Sequence, residues 1–135
     1  MEKLSQMLDL ALKIRERAYA PYSEFKVGAV VCSDKGNLFC GCNVENASYP
    51  CGTCAEAAAI AAMVAAGERH IAAVLVAADC PDIVPCGNCL QKIAELGDAD
   101  TIICSADLTH IVFSRKLKDL MPHNFSAEAM LSAKR

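Results

Sequence analysis

Apolar residues recur near the N-terminus at the spacing of a helix with one buried face. This spacing predicts a helix over residues 2–19. The dipeptide Ala20-Pro21 disfavours its continuation, because a residue before proline avoids the helical conformation. The predicted buried face consists of Leu4, Met7, Leu8, Ala11, Ile14 and Ala18.

Extended and helical patterns alternate along the rest of the chain. Apolar runs over residues 25–32 and 38–44 flank the polar turn Ser33-Asp34-Lys35-Gly36-Asn37 and predict a hairpin. An alanine-rich run predicts a helix over 54–66, and the apolar run 71–78 predicts a strand buried on both faces. The remaining predictions are a helix over 87–96, strands over 101–104 and 110–114, and a short helix over 115–120. This alternation predicts an α/β fold with helices on both faces of a mixed sheet.

Composition limits the class of protein. The 135 residues, 54% of them hydrophobic, predict a single domain spanning residues 1–135. A net charge of -3 argues against nucleic acid as a partner, since such proteins usually carry a basic patch. The start MEKLSQMLDL lacks the layout of a signal peptide, and the longest uncharged apolar stretch, 57–67, is too short to cross a bilayer. We therefore expect a cytoplasmic protein with no membrane partner.

Cysteine is the unusual component, with nine residues. An odd number without a signal peptide favours reduced thiols and metal binding over disulfides. Two C-x-x-C pairs, Cys51 with Cys54 and Cys86 with Cys89, suit zinc because such thiolates converge on a tetrahedral ion. A closed structural site with four cysteine ligands is one interpretation, and a site with three is the other.

Glu56 favours an open, hydrolytic zinc site. It follows Cys54 by two residues at the predicted start of a helix, where backbone N–H groups favour thiolates. A structural zinc needs no carboxylate there, whereas a hydrolytic zinc needs a base near its open coordination position. Glu56 is therefore the predicted catalytic residue.

Several motifs together resemble the zinc-dependent cytidine deaminase family. The run Cys54-Ala55-Glu56 followed by P-C-x-x-C over residues 85–89 is similar to the signature of zinc deaminases. Residues 20–29 resemble the family segment A-P-Y-S-x-F-x-V-G-A, and residues 41–47 resemble G-x-N-x-E-N-A. Residues 121–125 resemble L-P-x-x-F at the end of the family pattern. The match is to the short, homotetrameric branch with three cysteine ligands.

The resemblance implies a zinc-dependent hydrolase of pyrimidine salvage. It would convert cytidine or deoxycytidine to uridine or deoxyuridine with release of ammonia. One zinc ion per chain, with water as its fourth ligand, and Glu56 as proton shuttle are implied. The implied zinc ligands are Cys54, Cys86 and Cys89.

The same resemblance implies the substrate contacts and the architecture. Asn43 and Glu45 match positions that bind the ribose 3′-hydroxyl, Phe25 matches an aromatic packed against the nucleoside, and the Ala55 backbone matches a contact to the base. Tyr49, like Tyr22 and Phe125, matches a position near the sugar or base, with Phe125 reaching a neighbouring subunit of a homotetramer. The implied fold is a three-layer α/β/α domain on a five-stranded mixed sheet.

Two positions depart from the family pattern. Ala57 and Leu90 stand where the family usually has arginine. Three thiolates on zinc carry a formal charge of -1, and an ionised Glu56 adds another negative charge, so a missing cation predicts a less acidic zinc water. The hypotheses are weaker turnover of cytidine or a preference for a modified or other aminopyrimidine. A non-catalytic domain with a four-cysteine zinc site, including Cys51, is the alternative from another class.

The other candidate ligands are predicted to lie on the surface or to be structural. The histidines lack ligand spacing, and the remaining cysteines lie in or beside apolar strands, where they are expected to pack as small hydrophobic residues. These residues are His70, His110, His123, Cys32, Cys40, Cys42, Cys80 and Cys104.

Overall fold

The structure, a computed structural model, describes residues 2–133. Helices and strands alternate in the predicted order, with one short 3₁₀ turn and one additional C-terminal helix. No helix within the described residues has the length and apolar character needed to cross a membrane. The elements are α1 (Glu2–Arg15), β1 (Val27–Ser33), β2 (Leu38–Cys42), the 3₁₀ turn (Tyr49–Cys51), α2 (Ala55–Ala65), β3 (Ile71–Ala78), α3 (Gly87–Leu96), β4 (Ile102–Ala106), β5 (Ile111–Lys116), α4 (Leu117–Leu120) and α5 (Ala127–Ser132).

The strands form one five-stranded mixed sheet in the order β2-β1-β3-β4-β5. Strand β1 is antiparallel to both β2 and β3, and β4 is antiparallel to β5. Only β3 and β4 run parallel, and α3 supplies the crossover that a parallel pair requires. The predicted mixed sheet of five strands is confirmed.

Helices cover both faces of the sheet. Within β1, the neighbouring residues Val30 and Val31 belong to different hydrophobic clusters, because successive strand residues point to opposite faces. The cluster under α1 contains Met7, Ala11, Val30, Cys32, Leu75, Ala77, Cys104 and Ala106. The cluster under α2 and α3 includes Ala59, Met63, Leu90, Ile93, Val31, Val76 and Ile103. This is the expected three-layer α/β/α arrangement.

The first helix is shorter than predicted. It ends at Arg15, not near residue 19. Tyr19 is drawn into pairing with a distant segment, where its N–H donates to the Asn43 carbonyl at 3.0 Å and its carbonyl accepts from the Glu45 N–H at 2.8 Å. This long-range pairing extends the chain before Pro21 and prevents a further helical turn.

Other boundaries shift by a few residues. Strand β1 begins at Val27 and not at residue 25, and β2 ends at Cys42, so Val44 forms only isolated bridges. Strands β4 and β5 both extend beyond the predicted ends. Helix α5 was not predicted, and it has no buried residue that would have given an amphipathic signal.

The prediction for the structural cysteines is only partly right. Cys32 and Cys104 are buried, as expected for small core residues. Cys40 is partly buried on the edge strand β2 and packs against the cluster under α1, as expected. Cys42, at the end of β2, and Cys80, in the loop after β3, are only partly buried.

Gly41 permits a close contact between α2 and the sheet. A Cβ atom at this position would lie 2.5 Å from the Ala59 nitrogen and 2.6 Å from the Ala55 carbonyl oxygen. Both are backbone atoms, which cannot move without displacing the helix. The first turns of α2 therefore lie directly on β2 only because residue 41 has no side chain.

We expect Gly41→Ala to destabilise the protein by roughly 2 kcal/mol or more, because the added methyl group overpacks two backbone atoms. Thermal and denaturant unfolding would measure the change. Gly87→Ala is the matched control, since a Cβ there meets nothing within 4 Å. Equal stability of the two variants would contradict the proposed contact.

Candidate active site

Two helix N-termini carry the thiols of the predicted metal site. Cys54 is the N-cap residue of α2 and Cys86 is the N-cap residue of α3, both with extended backbone. Neither side chain makes a capping hydrogen bond, unlike the Ser126 hydroxyl, which accepts from Ala129 N–H at the start of α5. Cys89 lies in the first turn of α3. Both helix ends place their positive dipoles beside the thiols, which favours thiolates.

The fold brings three of these thiols together. The sulfur atoms of Cys54, Cys86 and Cys89 all lie within 4.8 Å of one another. They form the only group of its kind found among the cysteine, histidine and acidic residues from 2 to 133. Cys51 lies outside this cluster, and its thiol contacts the Ser48 hydroxyl at 3.6 Å. A closed site made of both C-x-x-C pairs is therefore not formed.

The charge of the three thiolates in this cluster has to be balanced by a cation. Burial raises the pKa of Cys54, although a hydrogen bond with Cys89 acts in the opposite direction. Burial also raises the pKa of Cys89, and the nearby Glu56 carboxylate raises it further. Within residues 2–133, no lysine or arginine lowers the pKa of either thiol. A divalent metal ion that binds thiolates supplies the missing positive charge, and zinc fits this all-sulfur donor set.

Glu56 is buried next to the cluster. It is the second residue of α2, and only 5% of its surface is exposed. Burial raises the pKa of Glu56, while a hydrogen bond from its own backbone N–H lowers it. A carboxyl group whose proton affinity is raised in this way is suited to taking up and releasing protons during a reaction.

A cavity of about 450 Å³ opens beside the cluster. Its lining includes Asn43, Glu45, Tyr49 and Cys54, all of which were predicted site residues. Phe25 and Ala55, also predicted, are not among the lining residues. Ala55 is 1% exposed at the start of α2, whereas Phe25 is 37% exposed. With Tyr22, which also lines it, the structure brings five of the predicted site residues to one cavity.

Val44 connects this cavity to the metal cluster. Its N–H donates to the Thr53 carbonyl at 2.9 Å, and its carbonyl accepts from the Thr53 N–H at 2.8 Å. Thr53 directly precedes Cys54 in the sequence. Residues 43–45 and the first zinc-cluster thiol are therefore held at a fixed separation by backbone pairing.

The Asn43 side chain is bonded to the start of β1. Its Oδ1 accepts from the Val27 N–H at 2.9 Å, and its Nδ2 donates to the Phe25 carbonyl at 2.9 Å. One N–H of the amide and one acceptor position of Oδ1 remain available. Asn43 therefore holds the loop before β1 and still has a donor for a ligand.

The Glu45 carboxylate holds the same loop from the other side. Its Oε1 accepts from the N–H groups of Tyr22 and Ser23 at 2.9 and 3.1 Å, and its Oε2 accepts from the Ser23 hydroxyl. The hydrogen bonds from Ser23, first from its hydroxyl and then from its backbone, lower the pKa of Glu45, with Tyr22 contributing less. Glu45 is thus kept ionised at neutral pH.

The two positions that depart from the family pattern have different environments. Leu90 is 8% exposed and belongs to the hydrophobic cluster under α2 and α3, where it packs as a core residue. Ala57 is partly buried in the first turn of α2 and carries no charge. Neither position supplies a cation to the site.

Several cavity residues were missed by the sequence analysis. Ser23, Asn46 and Thr53 line the cavity, although no role was predicted for them. In the sequence, Ser23 and Asn46 are distinguished only by lying in the matched motifs, and Thr53 only by preceding Cys54. Tyr22 also lines the cavity, as expected. Phe125 does not, but its carbonyl accepts from the Gln91 side chain at 2.8 Å, which ties the C-terminal segment to α3.

The histidines take no part in the site. His70 pairs with Asp98 at 3.4 Å, and His110 pairs with Asp107 at 3.2 Å. No histidine belongs to the thiol cluster found within the described residues. For His70 and His110 these contacts are consistent with the predicted surface or structural role.

Comparison with protein families identifies the family to which this chain belongs. Residues 1–105 match the model of the family described as the cytidine and deoxycytidylate deaminase zinc-binding region. The chain belongs to the cytidine deaminase family. Zinc is the metal of this family, and the three-thiol cluster provides suitable ligands for it.

Individual relatives share most of their length with this family member. A cytidine deaminase of Halalkalibacterium halodurans is 40% identical over 89% of this chain and 92% of its own length. A probable cytidine deaminase of Dictyostelium discoideum is 35% identical over 97% of this chain and 89% of its own.

Solved structures of cytidine deaminases share the fold. The enzyme of Burkholderia pseudomallei superposes with a TM-score of 0.85 at 40% identity, covering 90% of this chain and 98% of its own. The Mycobacterium tuberculosis enzyme gives a TM-score of 0.77 at 33% identity, covering 90% and 96%. The five-stranded mixed sheet with its helices is the architecture of cytidine deaminases.

Zinc content distinguishes the clustered thiols from Cys51. We expect Cys51→Ser to purify with about one zinc per chain, since its sulfur is outside the cluster. Cys86→Ser should lose most of the metal, because it removes one of three converging thiolates. Elemental analysis of both variants would measure the difference. Loss of zinc in Cys51→Ser would establish a fourth protein ligand.

Proposed function

We propose that this protein hydrolyses cytidine and deoxycytidine to uridine and deoxyuridine, releasing ammonia, as an enzyme of pyrimidine salvage. The observation that carries the proposal is the buried Glu56 beside a three-thiol cluster at the edge of a nucleoside-sized cavity. A three-ligand site leaves a coordination position open, as hydrolytic zinc sites do. Family membership supports the same reaction.

Cys54, Cys86 and Cys89 would hold the zinc ion. Zinc bound in such a site acts as a Lewis acid and lowers the pKa of water toward about 7. Glu56 takes the proton from the attacking water and passes it to the pyrimidine ring nitrogen beside the amine-bearing carbon. The same carboxylate then takes the remaining proton from the oxygen that has added to the ring carbon and delivers it to the departing amine. A C–O bond forms, the C–N bond breaks, and one water is consumed for each ammonia released.

The cavity favours a nucleoside over a nucleotide. None of the residues lining the described cavity is lysine, arginine or histidine, and Glu45 is the single charged residue among them. A 5′-phosphate would find no cation there and would be repelled by the Glu45 carboxylate.

Asn43 and Glu45 have the capacity to bind one sugar hydroxyl. Glu45 Oε1 already accepts two N–H groups, so its remaining acceptor position is on Oε2, which accepts only the Ser23 hydroxyl. Asn43 retains one N–H donor. One hydroxyl, which both donates and accepts, satisfies this pair. We assign it as the 3′-hydroxyl, which ribose and deoxyribose share, so both nucleosides are expected substrates.

The other substrate contacts are assigned to aromatic and backbone groups. Tyr49 lines the cavity and is 78% exposed, so its ring is available to pack against a bound nucleoside. Phe25 is proposed to contribute a second aromatic surface, and the Ala55 backbone a contact to the base. The Phe25 carbonyl accepts a hydrogen bond from the Asn43 side chain, and Ala55 directly follows Cys54 in the sequence. Both therefore lie beside residues that line the cavity.

A modified aminopyrimidine is the second candidate substrate. The observation that favours it is the missing cation: Ala57 is uncharged and Leu90 is in the core. Without a guanidinium near the thiolates, the site depends on its helix dipoles to stabilise their charge. This arrangement predicts slower turnover of cytidine, or better turnover of an aminopyrimidine with a better leaving group.

We propose a homotetramer of single-domain chains in the cytoplasm, with Phe125 reaching a neighbouring site. Tyr49 and Phe125 are 78% and 64% exposed, and a neighbouring subunit would cover such aromatic surfaces. Light scattering should give a mass about four times that of the chain, and a monomer with full activity would contradict the shared site.

Substitution of Glu56 tests the reaction directly. Glu56→Gln should retain its zinc and lose roughly 10³-fold or more in kcat, because an amide cannot carry the proton. Ultraviolet absorbance follows the conversion of cytidine to uridine, and elemental analysis follows the metal. Glu95→Gln, an exposed glutamate on α3, is the matched control and should keep its activity. An active Glu56→Gln enzyme would refute the assigned role.

A substrate panel tests specificity. Cytidine and deoxycytidine should have kcat/KM values within about tenfold of each other, because the sugar site binds one hydroxyl. Deoxycytidine monophosphate should be worse by about 10²-fold or more, since its phosphate meets a carboxylate and no cation. Ammonia release measures all substrates on one scale. A clear preference for an amine-substituted analogue would favour the second candidate, and a preference for the nucleotide would contradict the neutral cavity.

A further inference from the structure

Ser23 forms a bridge between the cavity loop and the Glu45 carboxylate. Its hydroxyl donates to Glu45 Oε2 and accepts from the Phe25 N–H at 3.0 Å. Its backbone N–H donates to Glu45 Oε1 at 3.1 Å. Ser23 itself lines the cavity, next to Glu45 and Tyr22. The hydroxyl therefore donates its one proton and accepts one hydrogen bond.

Hydrogen bonds, and not burial, hold this loop. Residues 21–25 are all exposed, so little apolar surface fixes their conformation. Glu24 has a φ of 59°, in the left-handed region that residues other than glycine rarely adopt. Such a backbone persists only when its neighbours fix it, and the bonds around Ser23 do so here.

The two Glu45 oxygens are held in different ways. Oε1 accepts two backbone N–H groups, from Tyr22 and Ser23, which do not depend on any loop side chain. Oε2 accepts only the Ser23 hydroxyl. The carboxylate turns about its broad terminal torsion as one planar group, so the Ser23 hydroxyl, the only protein donor to Oε2, adds the hydrogen bond that fixes the plane in which Oε2 points.

We propose that Ser23 is a positioning residue that orients Glu45 Oε2 so that its one remaining acceptor position receives the sugar hydroxyl of the substrate. This inference rests on the proposed nucleoside deaminase function and assigns a residue to its sugar site. Ser23 acts through Glu45 and does not itself touch the reacting atoms. It determines how strongly the sugar hydroxyl contributes to binding.

Removal of the Ser23 hydroxyl should weaken binding only of ligands that carry the 3′-hydroxyl. In Ser23→Ala, we expect KM for cytidine to rise about tenfold with a smaller change in kcat, since a hydrogen bond to a charged group loses its geometry. The KM for 3′-deoxycytidine, which has no hydroxyl for Glu45, should change less than about twofold. Ser23→Thr retains a hydroxyl and should restore most of the affinity for cytidine.

Thr109 provides a matched control. Its hydroxyl donates to Asp107 Oδ1 at 3.0 Å, and that oxygen also accepts the N–H groups of Thr109 and His110. This turn also pairs a hydroxyl with a carboxylate, although on a single oxygen, and it lies between β4 and β5 and does not line the cavity. Thr109→Ala should therefore leave both KM values unchanged.

The results can contradict the inference in two ways. An equal rise of KM for cytidine and 3′-deoxycytidine in Ser23→Ala would show that Ser23 only maintains the loop. Unchanged KM values for both would show that Glu45 needs no help from Ser23. Ser23→Gly is a second variant without the hydroxyl, and melting curves identify any variant that does not fold.

Calorimetry with uridine and 3′-deoxyuridine separates this inference from the proposed reaction. Binding of these products needs no turnover. If the wild-type protein deaminates neither cytidine nor 3′-deoxycytidine, and Ser23→Ala weakens the binding of uridine but not of 3′-deoxyuridine, the proposed reaction is wrong and the positioning role stands. If the wild-type protein deaminates cytidine and Ser23→Ala binds both products normally, the reaction stands and the positioning role is wrong. If the wild-type protein binds neither uridine nor 3′-deoxyuridine, both the proposed reaction and the positioning role are wrong.

Discussion

The contact between α2 and β2 at Gly41 is the constraint on which the site depends. The helix backbone lies so close to the strand that a single methyl group would meet the Ala55 carbonyl and the Ala59 nitrogen. The same turns of α2 begin at Cys54 and carry Glu56. A strand residue without a side chain therefore fixes the height of the Glu56 carboxylate above the sheet. Strand β2 also leads directly to residues 43–45, so the proposed sugar site and the thiol cluster share one support.

Two sets of hydrogen bonds hold the segments that form the cavity against this support. The Val44–Thr53 pair joins the segment after β2 to the residue before Cys54. Asn43 and Glu45, on either side of Val44, hold the loop before β1 with their side chains. Since alternate residues of an extended segment point the same way, both polar side chains reach the same side. The cavity is thus built from three chain segments that meet at one extended tripeptide.

The parts of this molecule that could be predicted are those with local causes. Strand β3 and helix α3 have the predicted bounds, because a continuous apolar run and an amphipathic repeat closed by Gly97 are complete signals in themselves. Cys54 with Glu56, and Cys86 with Cys89, could be recognised for the same reason, since each pair lies within one helical turn in the sequence. The end of α1 could not be predicted, because the pairing of Tyr19 with Val44 spans 25 residues. The Ser23–Glu45 bond has the same non-local character, and the exclusion of Cys51 from the cluster follows from the 3₁₀ turn that contains it.

Charge balance links the metal cluster to the departures from the family pattern. Burial of Cys89 and Glu56 raises the pKa of both groups, so the empty cluster would favour protonated thiols. A dication reverses this preference, because ligating thiols lose their protons and the helix dipoles then act on the thiolates. In a site with an arginine, part of that charge would be balanced by the protein. Here Leu90 packs in the core and Ala57 is neutral, so within residues 2–133 the metal and the two helix N-termini carry the whole balance. The cluster should therefore depend on its metal for its ionisation state more strongly than a site with a guanidinium would.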